Sequence, residues 1–171
     1  MIEKSLVLIK PDGVERALIG EVIKRYEQNG LRIIGMKMIN ADKKTVSKHY
    51  SSEENYLISL GQKSVDAGDK IDNLRDQGMM IVNGLRDYII KGPIVAMVIE
   101  GENAISKVRE IHGHTNPKKA SQGTIRGDFG DDDLLIANVE KRPVRNIVHA
   151  SGNLEEAEKE IYLWFSEEEL L

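Results

Sequence analysis

The 171-residue chain contains no cysteine, which removes disulfides, thiolate metal sites and a thiol nucleophile together. It also lacks a surplus of positive charge: 24 Lys and Arg stand against 28 Asp and Glu, a formal net charge of −4. A surface of that sign is a poor general binder of polyanions, so nucleic acid is not an expected partner. Any anion site must be a local cleft built from particular Lys and Arg residues. No apolar run approaches the length that spans a bilayer, and residues 1–5 carry none of the apolar stretch of a signal peptide. The cytoplasm is the expected location. Internal repeats and low-complexity tracts are missing too. What is present is 40% hydrophobic and 30% charged residues, the balance of a soluble globular protein long enough for one domain with a substantial core.

Apolar spacing sets the expected order of elements. Residues 5–9 read as a buried strand that ends at the turn Lys10-Pro11-Asp12-Gly13. Ile19, Val22, Ile23 and Tyr26 recur at helical spacing, with Gly30 as the stop. Residues 31–39 read as a second strand with Ile34, Met36 and Met38 on one face, and 43–50 as a short helix. A continuously apolar strand at 94–99 follows the Gly92-Pro93 break, and Ala104, Ile105, Val108 and Ile111 stripe the next helix. A fourth strand lies around Ile147 and Val148. Leu154, Ala157, Ile161 and Trp164 then share a face of a last helix, with Asn153 as N-cap and Glu156 at the capping-box position. The fold class is therefore α+β: a ferredoxin-like βαββαβ antiparallel sheet, with extra helices between the second and third strands. Many functions use that fold, so it decides none.

Three clusters point to phosphate chemistry. Lys10 stands where a buried strand meets a turn. A glycine-punctuated stretch from Arg109 through Thr115 to Arg126 offers two guanidinium groups and a hydroxyl, and guanidinium binds phosphate oxygens in pairs of fixed geometry. The third is Asn146-Ile147-Val148-His149-Ala150-Ser151, which sets a histidine at a strand end just before an amphipathic helix. A neutral imidazole nitrogen there is a nucleophile without a strong base beside it. Each cluster has a bland alternative, a solvated strand end or surface charge, and the three together outweigh it.

In their order, Lys10-Pro11-Asp12-Gly13, His49-Tyr50, Thr115-Asn116-Pro117, Gly123-Thr124-Ile125-Arg126-Gly127-Asp128-Phe129 and Asn146 to Ser151 resemble the motifs of nucleoside diphosphate kinases. Ala157-Glu158-Lys159-Glu160-Ile161 and Leu163-Trp164-Phe165 continue the likeness over nearly the whole chain. There is no Walker A sequence and no protein-kinase catalytic loop. The resemblance implies a ping-pong transfer of the γ-phosphoryl group through a phosphohistidine at His149. It implies that Glu160 fixes the tautomer of His149 with support from Ser151, and that Tyr50 approaches the phosphoryl group. Arg109, Thr115 and Arg126 are implied to hold the β and γ phosphates, and Lys10 and Asn146 the ribose hydroxyls, with Lys10 also near the transferred group. It further implies Mg²⁺ carried by the phosphates with few or no protein ligands, nucleoside di- and triphosphates as partners, and a homo-oligomer, hexamer or tetramer. The rival readings are a catalytically silent nucleotide-binding homologue and a phosphohistidine-dependent protein kinase.

The chain departs from that pattern in places. Between Tyr50 and Gly92 it is longer than a typical member by roughly twenty residues, far too many for a simple turn. This insertion spans about 55–83. A second insertion, about 131–141, contains a segment at 134–139 that could pair as a strand. The resemblance puts the base between Ile81, where the family has an aromatic ring, and Pro143, with Tyr56 as an alternative source of a ring. Gly152 replaces an aspartate. His112 and His114 read as solvated loop histidines rather than a metal pair, and Asp131-Asp132-Asp133 as an exposed turn. Glu155, Glu156 and Glu158 read as a charged helix face.

Overall fold

The structure, a computed structural model, describes residues 1–171. Its four strands are β1 (Ile2–Ile9), β2 (Arg32–Ile39), β3 (Ile94–Glu102) and β4 (Val148–Ala150). They form one sheet in the order β2-β3-β1-β4, with every neighbouring pair antiparallel. The helices, in chain order, are α1 (Pro11–Glu15), α2 (Ile19–Gln28), α3 (Lys43–His49), α4 (Glu54–Ala67), α5 (Leu74–Ile89), α6 (Ala104–His112), α7 (Ile125–Phe129), α8 (Leu134–Val139) and α9 (Leu154–Trp164). The result is the α+β, ferredoxin-like arrangement that the sequence predicts.

Both faces of the sheet are covered, which is why β1 and β3 are apolar at successive positions rather than alternating. Leu6, Leu8, Ala96 and Val98 face one core with Val46, Leu57, Val82, Ile161 and Trp164 from α3, α4, α5 and α9. Val7, Ile9, Met97 and Ile99 face the other, with Val22 and Tyr26 of α2 and Val108 of α6. α2 stops as predicted: Gly30 takes φ 69°, and the N–H groups of Gly30 and Leu31 return to the carbonyls of Glu27 and Tyr26. α9 starts on Asn153, whose side chain accepts from Glu156 N (2.9 Å), while the Glu156 carboxylate accepts from Gly152 N (2.9 Å).

Two expectations are corrected. Ile34 does not share a face with Met36 and Met38. The register runs from Ile33 opposite Ile99 to Gly35 opposite Val98, so Ile34 is the extra residue of a bulge and turns to the α9 side, where it is buried. Met36 and Met38 point to the other side and are more than half exposed. Residues 134–139 are helical rather than extended. Asp133 caps α8 by accepting from Leu135 N (3.0 Å), and a run this short has no decisive periodicity of its own.

α4 and α5 form a helical hairpin, and α8 packs on it. A Cβ at Gly61 would lie 2.1 Å from Leu74 O, and one at Gly78 would lie 2.0 Å from Leu57 O. Only glycine lets α4 and α5 come that close. Asn138 of α8 donates to Asp69 and, at 3.5 Å, to Ser64 of α4. Two stretches far apart in sequence thus form one feature. On its inner side Pro143 lies against Gly84, where a Cβ would be 3.1 Å from its Cδ, one helical turn after Ile81.

Candidate active site

The site begins where β1 ends. Lys10 N donates to Ile147 O (2.8 Å), and Ile147 N donates to the Asp12 carboxylate (3.0 Å). Between these bonds Ile147 holds φ 70°, and Val148 N reaches back to Asn146 O at 2.7 Å. This is a tight three-residue turn whose central, β-branched residue has a positive φ, a conformation that costs roughly 1–3 kcal/mol. Gly13 makes room for it, since a Cβ there would sit 3.0 Å from Ile147 Cγ2 and 2.8 Å from Ile9 Cγ2. The turn swings Asn146 to one side and sends Val148 into β4, where His149 pairs with Leu8.

Asn146 links two of the predicted residues. Lys10 Nζ donates to its Oδ1 (2.7 Å), and its Nδ2 donates to Thr115 O (2.8 Å). Lys10 is buried, and burial, joined by the charge of Arg126, lowers its pKa to about 8 against a smaller opposing pull from Asp12. Arg126 is also buried, and burial lowers its pKa to about 10. It donates to the carbonyls of Asn146 (3.2 Å), Gly113 (2.8 Å) and Val148 (2.7 Å). Three of its five donors thus tie the 113 loop to the 146–148 turn, and two are left for an anion. Arg109, in the last turn of α6, and Thr115 are exposed beside it.

His149 Nε2 donates to Glu160 Oε1 (3.0 Å), and Ser151 Oγ donates to Glu160 Oε2 (2.5 Å). Ser151 in turn accepts from Leu6 N (3.1 Å), which anchors the carboxylate to the sheet. Burial opposes the charge on Glu160, but the His149 charge and hydrogen bond, His49 and Ser151 together hold its pKa down to about 2. The Nδ1 of His149 has no hydrogen-bond partner, and the ring is partly exposed. One ring nitrogen is held and the other is free.

His49 and Trp164 form a wall behind His149 that no role in the sequence reading anticipated. The His49 ring stands edge-on to His149 (centroids 4.5 Å apart) and to Tyr50 (4.6 Å). Trp164 Nε1 donates to His49 Nδ1 at 3.2 Å. Burial, then the His149 charge, pushes the His49 pKa to about 3, so the ring is neutral. Tyr50 is buried, and its hydroxyl has no partner.

The remaining candidates sort cleanly. His112 is not a solvated loop residue: it is 1% exposed, and its Nε2 lies 2.6 Å from Tyr26 Oη. Asp132 is no free turn carboxylate either, because it pairs with Arg142 at 2.5 Å, and Asp133 caps α8. Ile81 of α5 and Tyr56 of α4 are both partly buried against the core. Asp12, Arg126 as a clamp, and Ile147 escaped the sequence reading. Only Asp12 carried a signal there, as the acid inside the Lys10-Pro11-Asp12-Gly13 turn.

The family model for nucleoside diphosphate kinase matches residues 3–58 and 74–170. A nucleoside diphosphate kinase of Pyrobaculum aerophilum is 43% identical over 180 residues, 99% of this chain and 98% of that one. One from Archaeoglobus fulgidus is 41% identical over 170 residues, covering 99% and 91%. A crystal structure of an NDP kinase from Pyrobaculum aerophilum superposes over 100% of both chains, with TM-score 0.94 and 40% identity. A transition-state mimic of nucleoside-diphosphate kinase from Borrelia burgdorferi with bound vanadate and ADP superposes with TM-score 0.82 and 35% identity, over 99% of this chain and 90% of that one. With full-length agreement in both sequence and fold, the chain belongs to the nucleoside diphosphate kinase family and is an enzyme of that kind.

Proposed function

We propose that His149 Nδ1 carries the phosphoryl group between two nucleotides. In the first half-reaction its lone pair attacks the γ-phosphorus of a nucleoside triphosphate. An N–P bond forms as the bond to the β–γ bridging oxygen breaks, and the diphosphate leaves with that electron pair. A second diphosphate then attacks the phosphohistidine through a terminal β-phosphate oxygen and regenerates the imidazole. The observation that carries this reading is the 3.0 Å contact between His149 Nε2 and Glu160 Oε1: an ionised carboxylate only accepts, so the ring proton sits on Nε2 and the lone pair on the free Nδ1. Glu160 also stabilises the positive charge that the ring gains as N–P bonding advances.

The other residues act by position and charge. Arg109 and the two free donors of Arg126 meet phosphate oxygens, with the Thr115 hydroxyl beside them, and Lys10 offsets the charge shed to the leaving oxygen. Lys10 and Asn146 together face the ribose hydroxyls. The Tyr50 ring stands 6.3 Å from that of His149, centroid to centroid, and its unpartnered hydroxyl approaches the phosphoryl group. Ile81, one helical turn before the Gly84 that Pro143 packs on, and Pro143 flank the base. The family uses a divalent metal, and we take it to be Mg²⁺. The groups around His149 fit an ion held by the nucleotide, because the Asp12 carboxylate accepts from Ile147 N and the Glu160 carboxylate is engaged by His149 and Ser151. When bound, Mg²⁺ neutralises phosphate charge. No helix is long and apolar enough to cross a membrane, and we place the enzyme in the cytoplasm. The half-exposed Met36 and Met38 on the edge strand β2 support a homo-oligomer, a hexamer or tetramer.

The test is His149→Asn incubated with γ-labelled ATP and Mg²⁺. The variant is expected to form no acid-labile phosphoenzyme and to lose turnover while keeping nucleotide affinity within a few-fold. Normal labelling would remove the mechanism.

A further inference from the structure

A second, metal-binding use of the His149 pocket follows from a conflict among hydrogen-bond acceptors. His49 Nδ1 accepts from Trp164 Nε1 at 3.2 Å, so it presents a lone pair and its ring proton sits on Nε2. Glu160 Oε1 stands 3.5 Å from that same Nδ1. An ionised carboxylate only accepts, so two acceptors face each other with no proton between them. On its other side Oε1 takes the Nε2–H of His149 at 3.0 Å, while Ser151 occupies Oε2 and leaves Oε1 as the inward atom. The three ligating atoms lie within 4.8 Å of one another.

These spacings suit a transition metal. Zinc bonds of about 2.0–2.1 Å in tetrahedral geometry set ligand-to-ligand edges of roughly 3.3–3.4 Å, and the two edges at Oε1 are 3.0 and 3.5 Å. Two imidazoles with one carboxylate are a donor set that zinc accepts, with its fourth position left to water. Magnesium prefers oxygen ligands and is a poor match to two imidazoles.

We propose that His49, His149 and Glu160 form a binding site for one zinc ion, whose occupancy switches off phosphoryl acceptance. Zinc takes the lone pair at His149 Nε2, so the single proton of the neutral ring moves to Nδ1. No proton is gained or lost, but the nitrogen that attacks phosphorus in the function proposed above no longer has a lone pair. His49 is already in the ligating tautomer and gives up only its bond to Trp164. The inhibition rests on His149 Nδ1 being the phosphoryl carrier, whereas metal binding itself does not.

The experiment uses chelator-stripped protein without nucleotide, titrated with zinc chloride. Bound metal is read by equilibrium dialysis, and the surroundings of Trp164, the single tryptophan, by fluorescence. Saturation at one zinc per chain is expected, with a fluorescence change of the same midpoint. His49→Gln should weaken binding at least about tenfold, since even groups that only support metal ligands are worth 10–100-fold in affinity. His114→Gln, at an exposed loop histidine, should leave the affinity unchanged. Trp164→Phe frees the His49 lone pair and should tighten binding by dialysis. Zinc-loaded, desalted protein should form less phosphoenzyme from MgATP in proportion to its occupancy. Absent binding, equal binding by His49→Gln with intact far-ultraviolet dichroism, or a flat Trp164 signal at saturation overturns the site. Binding as predicted with unimpaired phosphorylation overturns the switch. If zinc binds as predicted but His149→Asn still labels, the carrier assignment fails and the zinc site stands.

Discussion

Lys10 must be an ammonium to oppose phosphate charge, yet it is buried beside another cation, and its pKa is lowered to about 8. That sets an alkaline limit. In the free enzyme the charge is present below about pH 8 and lost above it, so kcat/KM should fall on that limb. Bound phosphates favour the ammonium, so the limb in kcat should lie at higher pH. Lys10→Gln should lower kcat/KM and abolish the limb, and a limb unmoved by that substitution would assign it to another group. Ile147 shows the opposite economy of a single residue, since its strained φ of 70° is fixed by Asp12 and by Lys10 N, and that strain sets the direction in which the chain delivers His149.

Among the elements, α4 and α5 carry a prediction that can fail independently of catalysis. Gly61→Ala or Gly78→Ala puts a methyl group about 2 Å from a carbonyl oxygen of the facing helix, which must separate to accept it. Overpacking of this kind costs roughly 1–3 kcal/mol, so each variant should lower the urea midpoint, whereas Gly20→Ala, with open space around it, should not. Equal midpoints for all three would show that the hairpin is loosely packed. These contacts also mark where sequence reading stops. β1 and β3 were legible as continuous apolar runs, α2, α6 and α9 because their apolar residues recur at helical spacing, and the capping of α9 by Asn153 from side-chain chemistry. The bulge at Ile34 was not, because an extra residue leaves local composition unchanged while reversing a face. The helicity of 134–139 was not, because six residues hold too little periodicity. In the site, residues that act through side chains carried a signal. Ile147 acts through a backbone angle, and His112 through burial against Tyr26, and neither is written in residue type.

For the molecule as a whole, the same packing that holds His149 makes stability depend on acid. His49 is neutral in the folded state down to about pH 3, but in the unfolded chain it protonates near its ordinary 6.5. The unfolded state therefore binds more protons between those values, and stability must fall as pH drops through that window. Glu160, lowered from 4.5 to about 2, adds a second loss as pH falls from 4.5 towards 2. His112, which burial also holds neutral, adds to the same window, so urea midpoints should decline from about pH 6.5 downward and His49→Gln should make the part above pH 4.5 shallower. A wild-type curve flat from pH 7 to 4.5 would contradict the burial of His49 as a neutral ring. Which imidazole nitrogen carries the phosphoryl group is decided by isolating the first half-reaction of the whole enzyme. The wild-type protein is phosphorylated with MgATP, freed of nucleotide and analysed by phosphorus–nitrogen correlated NMR. One phosphoryl group per chain is expected, on Nδ1 of His149, discharged by added nucleoside diphosphate. A phosphoryl group on Nε2, or on any other residue, would contradict it.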